Sequence, residues 1–343
     1  MDRLQTMQIY VQIVERGNFT QAADALQLHR PAITKAVQQL EQELGIRLLN
    51  RSTRNRAEVM FRSGEYTIQP RFPASLGYEA SGVVAAVGPD VTAFAVGDAV
   101  SVVPSFSFAD YGMYGDVVNV PVRALVRHPE NLSFAEAAAT WMMFVTAWGA
   151  LIEPGGLQHG DAVLIGAASS SVGLAAIQVA NRVGAVPIAL TRSAAKRQAL
   201  LDAGAARVIA GSPADLPQQV AELTGGRGAR IAFDPVGGPA TANLLRALRT
   251  NGTFFQYGAL DTRDIPVPVM DLLARHLTLR GYELFEITGD AQRLERAKRF
   301  IVDGLAAGAL KPSIDRTFAF DDIAQAHRYM EAGTQVGKIV VTV

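Results

Sequence analysis

No cysteine occurs among the 343 residues, which excludes disulfides, a thiolate nucleophile and cysteine-ligated zinc together. Histidine is scarce as well. The five present are scattered without metal-ligand spacing, so each reads as a surface or packing residue and no metal site is expected. No window is apolar for the length of a membrane span, and Met1-Asp2-Arg3-Leu4-Gln5 lacks the basic cluster and apolar run of a secretory leader. A cytoplasmic chain with no membrane partner is the expectation. Net charge is missing too: 32 basic and 32 acidic side chains cancel, so any nucleic-acid binding has to be local. Gly/Ser/Pro-rich linkers, internal repeats and low-complexity tracts are also absent.

What is present suffices for a real core, since hydrophobic residues make up 49% of the chain. Its texture changes near Arg54. Before that point short helical patterns prevail; from about Ala80 onward Gly and Val are frequent and strand-like runs alternate with helical ones. Ala162–Ile165, Val186–Leu190, Arg207–Ile209, Arg230–Phe233 and Gly252–Tyr257 read as strands, separated by helical stretches such as Val172–Val183 and Ala194–Ala203. Such alternation implies a parallel, doubly wound sheet. Ala80–Val87 and Ala99–Val103, punctuated by Gly88-Pro89-Asp90 and Gly97-Asp98, read instead as short antiparallel strands of a separate β-rich unit.

At the amino terminus, Leu4, Met7, Ile9, Tyr10, Ile13 and Val14 recur at helical spacing, Gly17-Asn18 ends that helix, and Phe19-Thr20 opens a second. His29-Arg30-Pro31 turns into a third running from Ala32 to Leu44, a helix-turn-helix layout. Thr34, Lys35 and Gln38 on that third helix, with Arg30 before it, could reach base edges or phosphates. Arg51 and Arg54 could contact phosphate, adding affinity without sequence information. Phe19-Thr20-Gln21-Ala22-Ala23, Pro31-Ala32-Ile33-Thr34 and Arg51-Ser52-Thr53-Arg54 occur in order, and by them residues 1–54 resemble the winged helix-turn-helix of LysR-type transcriptional regulators. That resemblance implies operator DNA as a partner, read by a dimer, although the linker helix and effector domain of that family do not follow.

The run Ala162 to Ala176 passes from an apolar strand through Gly166, Ala167, Ala168, Ser169, Ser170 and Ser171 into a helix. Small residues there let backbone amides approach a pyrophosphate at the helix amino terminus, with Ser169, Ser170, Ser171, Val172 and Gly173 as the contacts. A full G-x-G-x-x-G is not present; Gly173 keeps the close helix-to-strand contact. Past the next strand, where a carboxylate would accept the ribose hydroxyls of NAD, stand Thr191, Arg192 and Lys196. Cations and hydroxyls there suit a 2′-phosphate, so NADP(H) is the expected cofactor.

From Asn55-Arg56 to Gly337-Lys338 the chain resembles the zinc-free, quinone-oxidoreductase-like branch of the medium-chain dehydrogenase/reductase superfamily. Gly77-Tyr78-Glu79-Ala80-Ser81-Gly82, Val96-Gly97-Asp98, Thr146-Ala147-Trp148-Gly149, the serine-rich loop, Leu223-Thr224-Gly225-Gly226 and Asp234-Pro235-Val236-Gly237-Gly238 carry the likeness. It implies an α/β fold: a Rossmann domain at 155–283, and a GroES-like β-rich catalytic domain at 55–154 and 284–343 that lacks its opening strands, the all-α winged module at 1–54 standing in their place. It implies hydride transfer from NADPH to quinones or α,β-unsaturated carbonyls, and a homodimer formed through the edge of the Rossmann sheet. In zinc-dependent relatives a histidine stands beside the marker glutamate; here Tyr78 does, so carbonyl polarisation would fall to Tyr66 or Tyr78. By resemblance Asn55, Tyr66 and Thr146 line the nicotinamide end, Tyr257 and Gly258 pass beneath its ribose, and Lys338 either approaches the cofactor or is a surface lysine of a last strand. Glu79 and Asp234 read as structural carboxylates. The alternative is a DNA-binding regulator whose reductase-like body senses NADP(H) or a quinone.

Overall fold

The computed structural model describes residues 9, 12, 19–29, 32, 51–66, 68, 69, 74–107, 109–127, 129–211 and 214–343. The chain divides into two compact units, the first comprising Met1–Trp141, Arg316–Thr334 and Ile339–Val343, the second Met142–Asp315 and Gln335–Lys338. Among the described residues no helix is long and apolar enough to cross a membrane.

In the first unit, α1 (Phe19–Leu26) buries Ala22 and Ala23 with Ile9, and Leu26, Leu28, Val117 and Val343 pack against that small cluster. Alanine has no bulk to hold a neighbour away, so the helix can lie close to what it covers. Arg30, Thr34, Lys35 and Gln38 lie outside the described residues. Arg51–Arg54 forms β1, and one residue later α2 (Arg56–Arg62) begins. With β2 (Ala80–Val83), β3 (Ala99–Val102), β4 (Leu125–Arg127), β11 (Ile314–Ala319) and β12 (Lys338–Thr342), β1 builds a six-stranded sheet in the order β11-β12-β1-β2-β3-β4. β1 is antiparallel to both neighbours: Arg51 to Arg54 face Thr342 to Ile339 on one side, while Arg51 and Ser52 face Ser81 and Ala80 on the other. β2 is shorter than the Ala80–Val87 run suggests, because beyond Val83 the backbone of Val84 bonds to the Gly97-Asp98 turn. α3 (Phe134–Ala138) opens with a capping box, Ser133 and Glu136 each satisfying the other's backbone N–H. α12 (Ile323–Ala332) buries Ala326 and Met330 with Ile339 and Val341.

In the second unit every ladder is parallel, in the order β10-β9-β8-β5-β6-β7. The strands are β5 (Ala162–Ile165), β6 (Val186–Thr191), β7 (Arg207–Ala210), β8 (Ala229–Asp234), β9 (Leu248–Gln256) and β10 (Thr278–Gly281). The helices include α4 (Trp141–Leu151), α5 (Ser171–Arg182), α6 (Arg197–Asp202), α7 (Leu216–Leu223), α8 (Thr241–Arg246), α9 (Val269–Ala274), α10 (Phe285–Thr288) and α11 (Ala291–Ala306). This is the doubly wound α/β sheet that the alternation of apolar runs predicts. The chain goes outward from β5 through β6 to β7 and returns to β5's other side as β8, so strand order reverses between β5 and β8. Open parallel sheets bind ligands beyond the carboxyl ends of the strands at such a point.

Candidate active site

At that reversal the backbone is shaped by two carboxyl-end loops that touch. Gly166 follows β5 and donates its N–H to the Phe233 carbonyl of β8 at 2.9 Å. A Cβ on Gly166 would stand 1.9 Å from Oδ1 of Asp234, the last residue of β8, so only glycine fits. Asp234 in turn accepts from the N–H groups of Val236 at 3.0 Å and Gly237 at 2.8 Å, folding the Pro235-to-Gly238 turn over its own carboxylate. Burial raises the Asp234 carboxyl to about 6, against the pull of those two amides. Phe233 and Tyr257 stack at 3.9 Å, and Tyr257 donates its N–H to the Asp234 carbonyl. The Tyr257 hydroxyl is buried; burial and the Asp234 charge push its pKa far above the ordinary range, and Ser170 acts in the opposite sense.

The serine-rich turn runs from Gly166 to Ser170. Ala167 holds a left-handed φ of 43°, unusual for a residue with a Cβ, and lets Ala168 donate to the Leu190 carbonyl at 3.0 Å. The Ser170 side chain caps α5 by accepting from the Gly173 N–H at 3.1 Å. A Cβ on Gly173 would meet the Ala168 carbonyl oxygen at 2.5 Å, so the helix start lies directly against the turn. The result is a positive helix end under a cradle of short side chains, the setting a pyrophosphate requires.

Thr191 closes β6, is buried, and exchanges hydrogen bonds at 3.4 Å with the backbone of Ser193. Arg192 is exposed beside it. Lys196 reaches back to the cradle, its Nζ donating to the Ser169 hydroxyl at 3.3 Å and to the Gln335 carbonyl at 2.9 Å. Partial burial and the Arg192 charge lower the Lys196 pKa, and Asp315 opposes them. Gly337 bonds the Ser169 carbonyl at 3.1 Å and forms a parallel bridge with Ser170, so the Gln335–Lys338 segment lies along the turn. Lys338 is fully buried, with its N–H on the Ser313 carbonyl. Val336 donates to the Asp315 carboxylate at 2.9 Å. Ser169, Ser170, Ser171, Val172, Gly173, Thr191, Arg192, Lys196, Tyr257, Gly258 and Lys338 therefore all fall in the second unit. Thr146 is there too, buried on α4 with its hydroxyl donating to the Met142 carbonyl.

Three family models match the chain: "Zinc-binding dehydrogenase" over residues 171–301, "Alcohol dehydrogenase GroES-like domain" over 43–130, and "Bacterial regulatory helix-turn-helix protein, lysR family" over 4–60. A quinone oxidoreductase of Salmonella typhimurium is 31% identical over 291 residues, 82% of this chain and 86% of that protein. The chain belongs to the quinone oxidoreductase family of medium-chain dehydrogenase/reductases. Another relative, a synaptic vesicle membrane protein VAT-1 homolog of Danio rerio, is 30% identical over 304 residues, 84% of this chain but 62% of that longer protein. The solved quinone oxidoreductase of Escherichia coli complexed with NADPH superposes with a TM-score of 0.78 at 27% identity, covering 86% of this chain and 90% of that one. A solved structure described as an NAD-dependent alcohol dehydrogenase gives 0.76 at 31% identity, over 86% and 90%.

In the first unit of this quinone oxidoreductase family member, Asn55 precedes α2 and donates its side-chain amide to Glu58 at 3.2 Å. Glu58 is fully buried, and the Tyr114 hydroxyl also donates to it. Tyr66 is half-buried after α2, whereas Tyr78 is wholly buried before β2. Glu79 is buried beside it. The buried Glu58–Tyr114 pair escaped the sequence reading, because a glutamate in Arg56-Ala57-Glu58-Val59 looks like the solvated face of a helix. Asp315 and Gln335 also escaped it. Nothing in their local sequence signals that they meet the turn and Lys196.

Proposed function

We propose that the protein is an NADPH-dependent reductase that passes hydride to quinones or α,β-unsaturated carbonyls without zinc. The observation that carries this reading is the cradle at Ser169–Gly173 with Lys196 bonded to it, Arg192 alongside, and no carboxylate after β6. NADP(H) fits this chain's residues: the α5 end and its short side chains suit the pyrophosphate, and the two cations suit a 2′-phosphate in a way that NAD would not exploit. When bound, the nicotinamide supplies a hydride; half-buried Tyr66 is the proposed proton source, directly or through water, since Tyr78 has no exposed surface from which to reach a substrate. Asn55, Thr146, Tyr257, Gly258 and Lys338 complete the proposed cofactor contacts. The proposed Rossmann domain is 155–283, and the proposed catalytic domain is 55–154 with 284–343.

The test is calorimetric titration with NADPH and NADH, followed by NADPH oxidation against a panel of quinones and enones. Tight NADPH binding with turnover of at least one acceptor is expected. Binding without turnover of any acceptor would remove the catalytic reading, and equal affinity for NADH would remove the role of the two cations.

A homodimer through the free edge of β10 is part of this proposal. In the helix that precedes this strand, α9, Val269, Met270 and Leu273 are at least 60% exposed, an apolar row that a second copy would cover. The second reading, a DNA-binding regulator whose reductase body senses NADP(H) or a quinone, is favoured by the match of residues 4–60 to a regulatory helix-turn-helix. Selection from genomic DNA at low salt, with and without NADPH, tests it; recovery of no site would discard it.

A further inference from the structure

The two family models that meet near the amino terminus overlap on residues 43–60, so one stretch of chain satisfies both a DNA-binding module and a catalytic domain. The backbone shows how that stretch is used. A β-strand has two hydrogen-bonding edges, and β1 has a partner on each: β12 pairs along all of Arg51 to Arg54, and β2 pairs at Arg51 and Ser52. A wing that reaches into DNA is a hairpin, whose first strand must give one edge to a returning strand. After β1 there is no such return, because Asn55 leads straight into α2. On the amino-terminal side, Ile9, Ala22 and Ala23 share a buried cluster with Val117 and Val343, residues of the same unit as the sheet.

We infer that Arg51–Arg54 is a middle strand of the catalytic sheet and not a DNA-contacting wing, and that α1 is part of that unit's core. Use of these residues as a wing would require removing β1 from β12 or β2, so wing contact with DNA and an intact catalytic sheet are mutually exclusive. Operator contact, where it occurs, must come from residues ahead of the strand. This stands apart from the identity of the reductase's substrate.

Amide hydrogen exchange on the intact chain, without ligand, tests the strand directly. Peptides covering 51–54 and 339–342 are expected to exchange together and at least a hundredfold more slowly than an unprotected backbone. Unprotected exchange in 51–54 while 339–342 stays protected would overturn the inference. The second arm is an Arg51→Gln, Arg54→Gln double variant titrated with a labelled mixed-sequence duplex at several salt concentrations. Affinity within about twofold of the parent and an unchanged salt slope support the inference, as does a parent that binds no DNA. A tenfold or greater loss with a shallower slope would show phosphate contact by these arginines and overturn it.

Discussion

Lys196 is the residue at which the proposed preference for NADPH is tested. Its ammonium is held by Ser169 and Gln335, an arrangement that aims it at the cradle and takes it partly out of water. Lys196→Ala should weaken NADPH binding about ten- to hundredfold, the range of a lost charge-assisted hydrogen bond, and leave NADH within about twofold. Parallel calorimetry with both dinucleotides checks this, since a purely structural lysine would move both. Asp234 gives a pH signature. Its folded-state carboxyl titrates near 6, above the unfolded value, so the native chain keeps a proton between about pH 4 and 6 that the unfolded chain has released. Its contribution to stability is fully present below that window and is lost as pH rises through it. Asp234→Asn should flatten the slope, as read from urea midpoints at about pH 4.5 and about pH 7. The sequence marked Asp234 as structural but could not show its carboxylate pressed on Gly166, a contact between residues far apart in the chain. Glu58 was hidden for a related reason: burial of a helix face depends on which neighbour covers it.

Among the elements, α5 has a start that is capped by Ser170 and is the proposed seat of the pyrophosphate. Ser170→Ala removes its cap and should cost about 1 kcal/mol of stability while weakening NADPH binding severalfold, measured by denaturant melts with and without cofactor. Thr53→Pro tests β1 in the same spirit. Both edges of β1 lie within the sheet, so loss of a ladder N–H should lower Tm by several degrees and reduce turnover, as thermal melts and the quinone assay would show. Five strands of the second unit, β5 to β9, were legible because each contains a short apolar run, the signature of a sheet covered on both faces, whereas the edge strand β10, Thr278-Leu279-Arg280-Gly281, is largely exposed and was not read. Nor was β1. Arg51-Ser52-Thr53-Arg54 is polar at every position and has no alternation, and its pairing is dictated by β12 and β2, which come from distant parts of the chain. The arginines drew the eye toward phosphate, whereas the backbone carried the information.

At the level of the whole molecule, the proposed dimer rests on the edge of β10 and the apolar row on α9. Met270→Glu with Leu273→Lys should convert a dimer to monomers in sedimentation velocity, without loss of NADPH binding. The overall plan of a doubly wound sheet joined to a β-rich unit was readable from composition and periodicity, since it depends on local alternation. The join between the amino-terminal helices and that unit was not, because Val117 and Val343 meet Ile9, Ala22 and Ala23 only after the chain has folded back on itself.

The bond from Gly337 to Ser169 ties the cofactor turn to a segment near the other end of the sequence. Contacts so far apart in sequence are expected to form after the local elements of the parallel core. A nucleotide that grips the completed cradle should then act after the folding transition state. In stopped-flow experiments the nucleotide should slow the unfolding limb of the chevron and leave the refolding limb where it was.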